Sequence, residues 1–215
     1  WTPIKDRLPE MREERPEWHP LTAGQMDFWE EFVVHPDQPV STVAHCLELQ
    51  GPLDEGELIA ALTQTVAEAD TLALTFREAA DGSVRQRVDP GRVPQLRQHD
   101  LRAAADPWTA ARALMRADID AVLDLRRQPL SAQMLLRLSE DRWLWYFRGH
   151  HMILDGFGMS LIEGRVARLY AHATGQADAG TRFGRLTDFL AEDAAYHASE
   201  ACAQDRAYWQ DQLGP

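Results

Sequence analysis

Apolar positions recur along this chain in two periods, and the switches between them outline the elements. Residues 1–19 carry Pro3, Pro9 and Pro16 among charges, with Pro20 just beyond, and read as an extended lead-in. Met26, Trp29 and Phe32 or Val33 then repeat at helical spacing, with Thr22 placed to cap the helix they define. Thr42 to Leu49 alternates as a strand does. Pro52 and Asp54 stop it, and Leu58, Ile59, Leu62 and Val66 share one face of a helix from about Glu55 to Ala69. Thr71 to Phe76 returns to strand composition, and the Asp81-Gly82 turn makes Val84 to Val88 the second arm of a hairpin.

Asp106 and Pro107 open another helix, as N-cap and first-turn residue, which continues through Ala113, Leu114, Ile119 and Leu123. Ser131 to Leu138 and Trp143 to Gly149 are two strands joined by Glu140-Asp141, the natural central pair of a sheet. Leu161, Ile162, Val166 and Leu169 mark a helix that starts near Met159 and ends near Gly175, and a long helical segment from about Leu186 to Leu213 follows. Strands and helices interleave with at least one hairpin, which predicts an α/β (α+β) fold with a mixed sheet covered by helices.

Composition narrows the partners. A chain of 215 residues with 45% hydrophobic positions suits one globular domain with a sizeable core. A net charge of -12 argues against nucleic acid and anionic membrane as partners. No secretory signal and no bilayer-spanning apolar run occur, and Cys46 and Cys202 lie far apart without metal spacing. Both read as small apolar fillers in a reduced, cytoplasmic setting.

The chemistry concentrates between Trp143 and Gly158. An aromatic run delivers His150 and His151, and Asp155-Gly156 then turns the chain. Successive side chains of an extended strand point to opposite faces, so one imidazole can reach a pocket while the other packs. Imidazole suits proton transfer because its pKa lies near neutrality and its two nitrogens can accept and donate together. Asp155 can hold an imidazole in one tautomer or pair with an arginine, and Gly156 permits backbone conformations that a side chain forbids. A metal site built from His150, His151 and Asp155 is opposed by the divergence of neighbouring strand residues. A Ser160–His151 hydrolase pair lacks a nucleophile elbow.

His-His-x-x-x-Asp-Gly after an aromatic strand resembles the signature of the condensation domains of nonribosomal peptide synthetases and, in shorter form, of acyltransferases of the chloramphenicol acetyltransferase type. Two further stretches carry the likeness. Leu21-Thr-Ala-Gly-Gln with Trp29 is similar to the first family motif, with Gly24 where alanine is usual. Glu68-Ala-Asp-Thr-Leu-Ala-Leu-Thr-Phe76 falls at the second. The Ala-Asp-Thr-Leu and Trp-x-Trp-Tyr runs resemble members that serve siderophore assembly.

The resemblance implies a chloramphenicol-acetyltransferase-like lobe with a mostly antiparallel mixed sheet over residues 20–215, the amino-terminal half of a condensation domain whose carboxyl-terminal lobe is absent. It implies an amide-forming acyltransferase with no directly bound cofactor, inactive as an isolated lobe. Its substrates would ride on the 4'-phosphopantetheine arms of donor and acceptor peptidyl carrier domains, beside an adenylation domain. His151 would orient the acceptor amine or take its proton, His150 would shape the channel, Asp155 would hold the loop, and Gly156 would let the backbone approach substrate. The family's second-motif arginine is thought to pair with the aspartate, yet Ala73 stands at its place. Asp155 is therefore expected to find another cation among Arg77, Arg137 and Arg148, since a buried carboxylate without a partner is costly. The missing arginine also admits a non-catalytic alternative, an interface that recruits a carrier or tailoring enzyme.

Overall fold

The strand pair predicted around Glu140-Asp141 is the centre of the main sheet in the computed structural model, which describes residues 17–214. The described elements run β1 (His19–Pro20), α1 (Ala23–Val34), β2 (Thr42–Gln50), α2 (Glu55–Glu68), β3 (Leu74–Glu78), β4 (Val84–Val88), β5 (Leu96–Asp100) and α3 (Pro107–Ile119), followed by β6 (Ser131–Ser139), β7 (Arg142–His150), α4 (Gly156–Ala173), α5 (Leu186–His197) and α6 (Glu200–Leu213). The lead-in prolines Pro3, Pro9 and Pro16 lie outside the described residues.

The main sheet has the order β2-β7-β6-β5, with β7 antiparallel to both neighbours and β5 parallel to β6. Both faces are covered, which is why β6 and β7 read as nearly continuous apolar runs. Leu135, Trp143, Trp145 and Phe147 pack with Leu58, Leu62 and Val66 of α2 and Met159, Ile162 and Val166 of α4. Met134, Leu136, Leu144 and Tyr146 meet Ala111, Leu114 and Met115 of α3 on the other face. A small antiparallel sheet, β1-β4-β3, contains the expected hairpin, and Gly82 at φ 80° supplies its turn.

Several boundaries differ from the sequence reading. Asp70–Ala73 form a 3-10 turn, so the strand predicted from Thr71 begins at Leu74; the Asp70 carboxylate accepts the Leu186 N–H at 3.0 Å. β5 escaped notice because Leu-Arg-Gln-His-Asp is the polar sequence of an edge strand. α3 stops at Ile119, short of Leu123, which packs with the opposite core. The final helical segment is two helices, because Ser199 caps α6 by accepting the Cys202 N–H at 3.2 Å. Cys202 is buried as expected of a filler. Cys46 is exposed on the edge strand β2, where no core reaches it.

The second-motif segment is tied to α4 by a buried ion pair. Glu68, the last residue of α2, lies 2.8 Å from Arg165, their side chains only 8% and 6% exposed, and Arg182 approaches Glu68 at 3.5 Å. Burial by itself would raise the Glu68 carboxyl, but hydrogen bonds from Arg165 and Gln64 outweigh it and hold it below its ordinary value. Removing one partner strands the other charge. Glu68→Gln and Arg165→Met are each expected to lower unfolding free energy by about 3 kcal/mol in denaturant melts, and the double variant E68Q/R165M to lose less than the sum. Additive losses would show that the two side chains are not coupled.

Candidate active site

β7 ends at His150, and the chain leaves the sheet in a tight turn before α4 begins. His150 is buried, and its Nδ1 accepts the Met152 N–H at 3.0 Å, so in the neutral ring the proton sits on Nε2. Burial pushes its pKa down to about 4, against the opposing pull of the Glu31 carboxylate and the Val40 carbonyl. His150 is therefore neutral near pH 7 and shapes the turn.

His151 is half-buried and differently held. Its Nδ1 lies 3.1 Å from the Leu154 carbonyl oxygen. A carbonyl only accepts, so Nδ1 carries the proton and Nε2 of the neutral ring keeps its lone pair. No described residue hydrogen-bonds that nitrogen. The ring stacks on Phe28 of α1, centroids 5.5 Å apart and planes 19° from parallel.

The turn's backbone is claimed from several sides. The His151 N–H donates to the Ser41 carbonyl at 2.8 Å, while the Ile153 and Leu154 N–H groups return to the His150 carbonyl at 2.9 and 3.2 Å. Gln25 donates to the Met152 carbonyl at 3.2 Å, and its amide pairs reciprocally with that of the fully buried Gln86 at 2.8 and 2.7 Å. Gln25 also closes a capping box with Thr22. Ser41 holds φ 51°, a conformation unusual for a side-chain-bearing residue, and its hydroxyl donates to Glu31.

Among the described residues no arginine pairs with Asp155. Asp155 is exposed and caps α4, its Oδ1 accepting the Gly158 N–H at 2.7 Å. A carboxylate at a helix N-terminus is satisfied by the amide and by the helix dipole, so it needs no cation. The three candidates are engaged elsewhere. Arg77 lies over the Trp18 ring at 4.0 Å, Arg137 pairs with Glu55 at 3.1 Å and Glu140 at 3.0 Å, and buried Arg148 pairs with Asp118 at 2.6 Å. His150, His151 and Asp155 thus turn to three different partners. Ser160 donates to the Gly156 carbonyl at 3.2 Å within its own helix.

Gly156 opens α4 without a positive φ, so its value is not the conformational freedom the sequence suggested; a Cβ there would meet nothing within 4 Å, and the space above it is open. The crowded position is Gly158, where a Cβ would lie 2.6 Å from Leu154 Cδ1. Gln25, Phe28, Ser41 and Gln86 escaped the sequence reading as site residues. Only Gln25 stood in a recognised motif, and nothing local marks the others.

With an imidazole fixed in one tautomer at the end of a strand, followed by an Asp-capped helix, the chain belongs to the condensation-domain family, whose profile matches residues 17–215. Among curated proteins it is 37% identical over 195 residues to an isonitrile lipopeptide synthase of Streptomyces coeruleorubidus, and 35% identical over 198 residues to enterobactin synthase component F of Escherichia coli O157:H7. Each alignment covers 90% of this chain but only 13% and 15% of the relative. Among solved structures, the starter condensation domain of rhizomide synthetase RzmA superposes with TM-score 0.82 at 38% identity, over 93% of this chain and 48% of that one. The condensation enzyme VibH superposes with TM-score 0.81 at 31% identity, over 91% and 45%. A variant of the RzmA domain is solved in complex with C8-CoA and Leu-SNAC, with TM-score 0.81 at 36% identity, over 91% and 45%. The mixed sheet flanked by helices is the architecture that the family resemblance implied.

Two outcomes follow from this geometry. Asp155→Ala should lower unfolding free energy by about 1 kcal/mol, and Asp155→Asn should recover most of the loss because asparagine also caps helices; a salt-bridge role would leave the asparagine variant as weak as the alanine one. His150 is the second case. Its folded pKa lies below the ordinary His value of about 6.5, so the unfolded chain takes up the proton first and His150 withdraws stability as pH falls from about 6.5 to about 4, with no effect above. Melting temperatures of His150→Gln should fall less steeply across that window than those of the unsubstituted protein.

Proposed function

We propose that this chain is the amino-terminal lobe of a nonribosomal peptide synthetase condensation domain that forms an amide between a carrier-bound acyl thioester donor and a carrier-bound aminoacyl acceptor. The single observation that carries the reading is His151, its Nδ1 tied to the Leu154 carbonyl and its Nε2 unclaimed by any described residue. An α-amino group has a pKa near 8, so part of the acceptor is already neutral at working pH. The remaining tasks are to align amine and carbonyl and to receive the proton as the tetrahedral species forms. Nε2 of His151 is the atom that takes or hydrogen-bonds that proton. The tetrahedral species then collapses by breaking the donor's C–S bond, the pantetheine thiolate leaves and the proton ends on that sulfur, so no covalent acyl-enzyme is needed. Buried, neutral His150 packs behind it. Asp155 holds the start of α4, and Gly156 lets the backbone approach substrate.

In this reading the substrates arrive on the phosphopantetheine arms of donor and acceptor carrier domains, next to an adenylation domain, and the carboxyl-terminal lobe completes the channel between lobes. The isolated lobe is inactive. The likeness to enterobactin synthase component F supports a siderophore or related peptide as product. No helix among the described residues is long and apolar enough to cross a membrane, which fits a cytoplasmic assembly line. The non-catalytic alternative drew its support from Ala73, and an Asp155 satisfied by its own helix removes that support.

The test uses the complete parent protein with donor and acceptor loaded on their carriers and product followed by mass spectrometry. His151→Ala should reduce amide formation by roughly a hundredfold or more, within the range for loss of a general base, with the melting temperature preserved. Unchanged product formation would remove His151 from the chemistry and leave recruitment as the function.

A further inference from the structure

Gln25, Phe28 and Glu31 recur at three-residue spacing on α1, so they lie along one stripe of the helix. Each meets the histidine turn or its support. Gln25 donates to the Met152 carbonyl at 3.2 Å, Phe28 stacks on the His151 ring, and Glu31 takes the Ser41 hydroxyl. Ser41 in turn accepts the His151 N–H at 2.8 Å. The adjoining stripe of α1, Trp29 and Phe32, is buried in the core, so the helix cannot shift without disturbing packing.

The Leu154 carbonyl fixes which nitrogen of His151 carries the proton, but one hydrogen bond leaves the ring free to swing about that contact. A flat aromatic face at 19° to the imidazole and 5.5 Å away removes the swing. From this we infer that Phe28 is a positioning residue for condensation: it clamps the His151 ring so that Nε2 stays aimed at the reacting amine. In this role Phe28 acts on the reaction through His151, so the inference rests on the catalytic reading of His151 given above. α1 is thereby part of the catalytic machinery at one remove, presenting an amide, an aromatic face and a carboxylate in register with one turn.

The experiment is a set of variants of the complete parent protein, F28L, F28Y, H151A and F28L/H151A, assayed for amide formation with loaded carriers and for thermal melting. Positioning predicts that F28L lowers kcat roughly tenfold with KM within about twofold, because a misaimed group loses rate before it loses binding. F28Y, which keeps the stacking face, should restore most of kcat. F28L should add nothing to the residual rate of H151A, since its whole effect passes through that ring. If F28L fails to fold, Phe28→Met takes its place in the same comparison. An F28L effect that persists in the H151A background, or that F28Y does not rescue, overturns the inference. So does an unchanged kcat for F28L beside a crippled H151A, which leaves the catalytic reading intact. An H151A enzyme with full activity overturns both.

Discussion

A turn that leaves a sheet exposes peptide groups, and the five residues from His150 to Leu154 have nearly all of theirs claimed. The N–H groups of residues 151 to 154 find a carbonyl or ring nitrogen, and the carbonyls of residues 150, 152 and 154 each accept. Backbone groups without partners are costly away from water, so this satisfaction is a condition for placing an imidazole at such a turn at all. The consequence for chemistry is a ring with one nitrogen committed and the other available, its orientation set by groups from α1, from the segment before β2 and from the turn itself. Preorganisation of this kind suits the proposed amide formation, in which the amine is already partly neutral and alignment is the larger task.

Rigidity behind the turn comes from charge as well as packing. On the α3 face of β7, two residues before His150, Arg148 is buried against Asp118, which also receives Arg97 and the Tyr146 hydroxyl at 3.0 Å. Burial opposes the Asp118 carboxylate, yet Arg97 and Arg148 hold it below its ordinary range, so it stays ionised. Glu68 and Arg165 do the same between α2 and α4, on the other side of the sheet. Such pairs contribute little net stability compared with apolar substitutes, but breaking one leaves an uncompensated charge, so they specify one arrangement of elements strongly.

Much of this was legible in the chain. The central hairpin of β6 and β7, the caps at Thr22 and Asp106, and the histidine motif all announce themselves through local rules of period and capping. What stayed hidden was nonlocal. Phe28 reads as one more apolar residue on an amphipathic helix, and only the fold brings it across 123 residues of sequence to His151. Gln86 reads as a polar residue in a hairpin, and its full burial depends on a reciprocal amide partner from α1. β5 was invisible because Leu-Arg-Gln-His-Asp is polar after its first residue and so carries no alternation to detect. The family resemblance located the acid, Asp155, but misdirected the search for its partner, because it supplied the expectation of an arginine where a helix N-cap suffices.

That misdirection clarifies what the second-motif position does. The resemblance implies a charged tie between the second motif and the aspartate that opens the helix after the histidines. In this chain a tie between the same two regions exists with its signs exchanged: the acid, Glu68, sits at the start of the second-motif segment, and the arginine, Arg165, sits within α4. Ala73 is buried, and its carbonyl accepts the Asp89 N–H at 2.7 Å, so the segment is fixed by backbone pairing rather than by a side chain reaching for the helix start. Asp155 is thereby released to solvent, where capping alone determines its role. Docking α4 against α2 and orienting its first turn are separate mechanical tasks, and here they fall to different residues, so the loss of one motif arginine leaves the geometry around His151 whole.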